Sequence, residues 1–320
     1  RSDWPTAPAG PAWRSPWSTR PAGSSSGCGC TSHQVVAVTR RSGAIVPGAD
    51  VVVADVLRRD ELLRAVDGLA VDVVIHELTA LSKPPAKYAD MELTNKLRTT
   101  GTAHLLEAAR TTGAHRFLTQ SMVPGYGYTE KGPRPLTESD AFGRPRGDRT
   151  DPAVAALHAT EQQVFGAAGI EGIALRYGAF YGLDASQGFV TALRAGKLPV
   201  PRGGGGTMAW IHLADAAAAT VAAIGKATAG QAYNVVDDFP ATWGEMFHAH
   251  ARAAGTRPPR ALPGWMIRLT APYFASLMID TSLRVSNAKA KAELGWSPAL
   301  PSYREGLAHD FPTAAPGKLR

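Results

Sequence analysis

Cysteine is almost absent: the 320 residues hold two, Cys28 and Cys30. That excludes a disulfide-stapled secreted scaffold. A single residue separates them, whereas zinc knuckles and redox pairs want two. No run of 18 apolar residues lacks charge or helix breakers, so neither a transmembrane span nor a membrane partner is expected. Charge is sparse as well, at 19%. Lys+Arg exceed Asp+Glu by 34 to 27, a net +7 without a basic stripe, so no nucleic-acid partner is expected. A phosphorylated small molecule suits that balance equally well. No Gly-x-Ser-x-Gly elbow is present, which argues against a serine hydrolase. The one close histidine pair, His248 and His250, reads as helical, and two residues along a helix turn the rings about 200° apart. No metal site is expected.

Residues 1–32 contain no Val, Ile, Leu, Met, Phe or Tyr, but five prolines. Without aliphatic residues the stretch supplies no buried strand, and the prolines exclude a regular helix. It is expected to be an irregular or disordered arm. It also lacks the apolar core of a signal peptide. It begins with Arg1 rather than Met, and its Arg, Pro, Ser, Gly and Trp without aliphatics look like out-of-frame reading of a GC-rich gene, which is an expectation to test. Gene sequencing with intact mass tests that: a Gly-rich turn encoded in another frame supports it, and none there excludes it.

What is present begins at His33. The remaining chain is rich enough in apolar residues (44% overall) to bury a sizeable core. Residues 33–40 (HQVVAVTR), 50–55, 71–76, 115–121 and 172–177 read as buried strands. Helical spacing predicts helices over 58–69, 93–112 and 151–168, the last opened by Asp151-Pro152 as cap and first turn. Strand and helix in alternation imply right-handed crossovers and a parallel sheet covered on both faces. The expected fold is therefore α/β, a doubly wound Rossmann-like sheet with a smaller mixed C-terminal lobe. Its first strand and helix are expected to be missing or irregular. The expected domains are 33–182 and 183–312, with 208–211 and 231–236 returning to the main sheet and 313–320 a tail. Helices are also expected over 188–195, 214–224, 242–254 and 285–294, and a lid or core helix over 262–279. The glycines 203–206 read as a mobile loop.

Seven short segments run in a recognisable order: Asp55-Val56; 72–76 (DVVIH); 101–109 (GTAHLLEAA); 175–178 with 180–182; 210–215 (WIHLAD); 233–235 (YNV); and 286–289 with 294–296. In that order they resemble the extended short-chain dehydrogenase/reductase family, the NAD-dependent epimerase/dehydratase group. The resemblance spans residues 33–311. It implies a nicotinamide dinucleotide, a small-molecule substrate, a cytoplasmic enzyme and pairing of two copies through 93–112 and 151–168.

Three departures stand beside the resemblance. The family opens with a strand and a Gly-rich turn on which the pyrophosphate rests, and residues 1–32 carry no such motif. The family's Ser/Thr position, four residues before its Tyr-Gly, holds Met122 when Tyr126-Gly127 is aligned there. Its Tyr-x-x-x-Lys positions hold Ala153 and Leu157 when Glu161 is set on the acid that follows. The phenol normally exchanges a proton with the substrate oxygen and the ammonium lowers its pKa; Ala and Leu do neither.

The residues left to carry chemistry are Ser121, Tyr126 and Tyr128 at the end of the fourth strand, and His158, which is one residue from the missing Lys. One helical residue rotates a side chain by roughly 100°, so a surface histidine is the plainer reading. For a dinucleotide the resemblance points to Arg40 and Arg41, whose charge after a strand end favours a 2′-phosphate and hence NADP over NAD. It also points to Asp55, Val56, His76 and Tyr177, and for substrate to Tyr181, Trp210 and His212. The leading expectation is an NAD(P)-dependent oxidoreductase or epimerase of a small carbonyl or alcohol. Two others stay open: a cofactor-free acid/base enzyme on the same scaffold, and a non-catalytic ligand sensor or relic.

Overall fold

The computed structural model describes residues 33–81 and 83–312, so the arm and the tail lie outside the described residues. These fall into two compact units that divide after Asp67. In the first, β1 (Val36–Thr39) and β2 (Asp50–Val53) pair in parallel, Val36 opposite Asp50. Helix α1 (Arg59–Ala65) follows, with Asp60 and Glu61 in its first turn, where they complement the helix dipole.

The second unit is built on four parallel strands. They are β3 (Val73–His76), β4 (Arg116–Met122), β5 (Glu171–Tyr177) and β10 (Gln231–Val235), in the order β10-β5-β4-β3. Both faces are covered, as the near-continuous apolar strands require. Leu118, Ile173, Leu175 and Tyr233 meet α6 (Leu213–Lys226), whose Ala216, Ala219 and Ala223 let the helix approach closely. The other face meets α3 (Thr102–Thr111) and α4 (Asp151–Phe165). There Thr160 hydrogen-bonds Thr102 (2.8 Å) and Thr119 (3.1 Å), joining two helices to the sheet. The architecture is Rossmann-like α/β.

The helix expected over 93–112 is not uniform. A 3-10 turn (Tyr88–Met91) leads into α2 (Glu92–Lys96), then a π-turn (Leu97–Gly101), then α3. At α4, Asp151 is the first helical residue rather than the cap, and its carboxylate accepts the Arg146 and Gly147 N–H groups.

The rest of the chain forms a mixed lobe. β6 (Ala179–Tyr181) pairs with β9 (Trp210–His212), so 210–212 joins this short sheet rather than the main one. β7 (Val200–Pro201) pairs with β12 (Ala261–Leu262), and β8 (Thr207–Met208) with β11 (Ala241–Thr242). Helix α5 (Leu183–Arg194) starts earlier than expected, and α7 (Trp243–Ala253) opens with a Thr242/Glu245 capping box. The single helix expected over 262–279 is in fact α8 (Gly264–Thr270), α9 (Pro272–Ala275) and a π-turn (Ser276–Asp280). Pro272 is the cause: it has no N–H to continue the ladder of α8. α10 (Ala288–Leu294) returns to the main sheet, its Ala290 and Leu294 packing with α6 and β10, and α11 (Tyr303–Asp310), unforeseen, closes the lobe against α7. Trp210, Trp243, Phe247 and Phe274 make its aromatic core.

The glycines 203–206 do not form an open loop. A Cβ on Gly206 would stand 1.9 Å from the Thr281 carbonyl, and one on Gly205 2.4 Å from that of Met278. They are glycine because two backbones touch there. Among the described residues no helix is long and apolar enough to cross a membrane.

Candidate functional site

Open parallel sheets bind ligands beyond the carboxyl ends of their strands. At the ends of β4 and β5 the second unit holds a buried polar chain. Ser121 donates to Glu161 Oε1 (2.6 Å), and Arg176 grips the same carboxylate through Nε (2.9 Å) and Nη2 (2.7 Å). Arg176 Nη1 donates to the Tyr126 hydroxyl (3.0 Å), which faces Asn234 Oδ1 (2.9 Å) and the Thr137 carbonyl (3.0 Å). The Phe142 ring covers the guanidinium at 3.7 Å. Two of the sequence candidates, Ser121 and Tyr126, therefore meet in one network, with their hydroxyl protons already engaged. Burial raises the Tyr126 phenol above its usual range, against the Arg176 charge.

Tyr128 lies elsewhere. Its hydroxyl hydrogen-bonds that of Tyr273 (2.6 Å), and both rings are buried. They pack with Met91, Ala153 and Val154, so the α4 position where the family's tyrosine is expected touches a phenol from another segment. Arg98, from the π-turn, is buried beside them; its charge acts on both phenols and on His76 at the end of β3. Burial, more than that charge, holds the His76 ring near 4, while its Nδ1 accepts the Leu78 N–H. An open cavity of about 430 Å³ adjoins this cluster, lined by Tyr88, Tyr128, Thr150 and Ser276 with the cations Arg146 and Arg149 and the carboxylates Glu130, Asp148 and Asp280. Its size suits a small ligand. The Arg149 guanidinium lies 4.7 Å over the Tyr88 ring.

The remaining candidates are scattered. His158, one residue beyond the buried Leu157, is on the exposed face of α4 against Gly143. Tyr177 is buried, its hydroxyl between Glu77 (3.1 Å) and Thr220 (2.6 Å). In the first unit, Arg40 and Arg41 follow β1 and are exposed, and the described residues offer their guanidinium groups no partner. Asp55 follows β2 and caps the next turn through the Leu57 N–H, and Val56 is buried.

Tyr181, Trp210 and His212 belong to the lobe core. Trp210 donates to the Ala241 carbonyl. His212 Nδ1 accepts the Ala214 N–H, so its Nε2 donates to Asp310, 3.3 Å away. His309 also reaches Asp310, at 3.2 Å, a grouping the sequence reading missed. With its proton on Nε2 and Nδ1 engaged, His212 has no free lone pair for a metal.

Tyr181 donates to Asp237 (2.8 Å), and burial pushes that carboxyl up to about 8. A folded pKa above the unfolded 3.8 means that stability is lost as pH rises from about 4 to about 8. His76 acts oppositely, costing stability as pH falls from 6.5 to about 4. The Glu77 carboxyl, pushed up by burial to about 7, adds a falling slope below that pH, so between pH 7 and 8 the Asp237 slope is the one that remains of these three. Thermal midpoints across that window are expected to fall for the parent and to stay level for Asp237→Asn; equal slopes would remove the assignment.

Sequence reasoning missed Arg98, Tyr273 and Asp237. Thr94, Arg98 and Thr102, four apart and all buried, were the available signal: a polar stripe on a helix face that should be apolar.

Residues 28–236 match the NAD dependent epimerase/dehydratase family. A curated relative, the 3-diazoavenalumate denitrifying reductase of a Streptomyces species, is 37% identical over 291 residues, 87% of this chain and 92% of that one. Among solved structures, UDP-glucose 4-epimerase of Thermotoga maritima, with UDP-glucose, superposes with a TM-score of 0.70 at 20% identity, over 88% of this chain and 90% of that one. The dTDP-glucose 4,6-dehydratase of Streptomyces venezuelae, with NAD bound, gives 0.69 at 21%, over 87% and 86%. At that identity the structures share the fold.

Proposed function

We propose that this chain, which belongs to the NAD dependent epimerase/dehydratase family, is a nicotinamide-dependent reductase of a small aromatic substrate that expels nitrogen rather than reducing a carbonyl. The observation that carries this is on α4. Ala153 is 3% and Leu157 1% exposed, both sealed into apolar packing where the family's phenol and ammonium are expected. A carbonyl or alcohol substrate needs that pair, because hydride addition leaves an alkoxide to protonate. Reductive loss of a diazo group does not. Hydride and its electron pair form the new C–H bond, the C–N bond breaks with its electrons on the departing N2, and no oxygen gains charge. The name of the curated relative describes a reduction of this kind.

The described residues fit the adenosine end of a phosphorylated dinucleotide. Arg40 and Arg41 follow a strand end and, having no side-chain partner among the described residues, would be the donor set for a 2′-phosphate, while Asp55 would meet the adenosine. Bound nicotinamide would supply the hydride. The chain's own part is to orient the acceptor in the cavity beside Tyr128.

Fluorescence titration of the full chain is expected to give micromolar NADPH binding and weaker NADH binding. Arg40→Ala with Arg41→Ala is expected to weaken NADPH about tenfold and leave NADH nearly unchanged, the loss of charge-assisted contacts to one phosphate. With NADPH and a water-soluble arenediazonium salt, N2 release and NADPH loss should match one to one above the uncatalysed rate. Absence of dinucleotide binding at millimolar level, or turnover of simple ketones but not of the diazonium, would overturn the proposal.

A further inference from the structure

Arg98 presents a problem of charge balance. It is 7% exposed, and a guanidinium does not give up its proton in a protein interior. A buried cation without an anion is strongly destabilising. Yet Nε of Arg98 has no hydrogen-bond partner, and no carboxylate acts on the group among the described residues. What surrounds it is a neutral His76 and two phenols that burial keeps protonated. The phenols share one hydrogen bond, 2.6 Å long. That bond uses one of their two protons, so one O–H is left to donate elsewhere. Tyr128 is also a wall of the cavity.

We propose that the Tyr128–Tyr273 hydroxyl pair, with the Arg98 charge behind it, is a binding site for an aromatic oxyanion, and that the substrate presents a ring oxygen there as a phenolate or its quinonoid equivalent. The free O–H donates to that oxygen, and Arg98 balances its charge. The surroundings favour an arene over a phosphate. Tyr88 stands edge-on to Tyr273 at 5.6 Å, Leu81, Met91 and Leu277 pack alongside, and Arg149 caps the Tyr88 face. The cavity's carboxylates Asp148, Asp280 and Glu130 each lie against an arginine, Arg146 (3.7 Å), Arg268 (2.6 Å) and Arg284 (3.9 Å), so Arg98 is the charge left to balance beside these apolar and π surfaces, whereas a phosphate wants several converging donors. The inference deepens the reductase reading and rests on it for its chemistry. Arg98 holds the charge that the oxygen already carries and keeps it from feeding into the ring, which leaves the carbon bearing nitrogen a better hydride acceptor.

The test uses 4-nitrophenol, whose anion and neutral form differ in colour, with the full-length chain. The parent is expected to bind the anion preferentially and to lower the apparent pKa of the bound probe. Arg98→Met should weaken the anion about tenfold while leaving the neutral form unchanged, and so abolish the shift. Arg98→Lys should keep part of it, because the charge remains. If Arg98→Met does not fold by circular dichroism, Tyr128→Phe carries the test, with the same loss expected. The proposal is overturned if the parent binds both forms equally, if inorganic phosphate displaces the probe as well as benzoate does, or if a folded Arg98→Met keeps the preference. NADPH titration of the same samples separates the two readings. Probe binding without dinucleotide binding would sink the reductase and leave the oxyanion site standing.

Discussion

Arg176→Met is expected to destabilise the second unit by about 3–5 kcal/mol, the cost of breaking a buried ion pair from one side. Glu161 is 2% exposed, and two of its contacts come from Arg176. Without the guanidinium the carboxylate keeps only the Ser121 hydroxyl, and Tyr126 loses a donor at the same time. Phe142 would also lose the flat cation it covers. Denaturant unfolding measures the change. Glu161→Leu added to Arg176→Met should recover much of it, since an apolar pair of similar volume is often no worse than the ion pair it replaces. If the double variant is as unstable as the single one, the network contributes through geometry rather than charge. A loss below 1 kcal/mol would mean that water reaches the site.

Restoring the family's pair should fail. Ala153→Tyr with Leu157→Lys is expected to lower stability by roughly 4 kcal/mol or more at neutral pH, because a fully buried lysine gives up several units of pKa. Leu157 is 1% exposed, and the Glu161 carboxylate one turn along is already held by Arg176. A tyrosine at 153 would also press into Tyr128 and Tyr273. No carbonyl reduction should appear. A folded variant that reduces a simple aldehyde would show that α4 can still host the ordinary relay, and the nitrogen-expelling reading would lose its main support.

The sheet was legible because parallel strands buried on both faces are written as short apolar runs. DVVIH and HRFLTQS left little else to infer. The helix boundaries were less so: Pro272 was visible, but whether a proline kinks a helix or ends it depends on what packs around it. Residue type pointed to Ser121 and Tyr126 as chemically active. It could not reveal that Glu161 and Arg176, 15 residues apart, close over the same spot. Arg98 reads as one more helical arginine until its neighbours are known. Its isolation is a tertiary property.

The π-turn at Leu97–Gly101 makes that isolation a matter of phase. One residue fewer would restore the regular ladder, and α2 would swing about 100° relative to α3. The side chain at 98 would then leave its place beside the phenols although the letter in the sequence were unchanged. Homologous chains are therefore best sorted by the spacing between their equivalents of Thr94 and Thr102. Keeping the arginine while losing the extra residue would place the charge on a different wall.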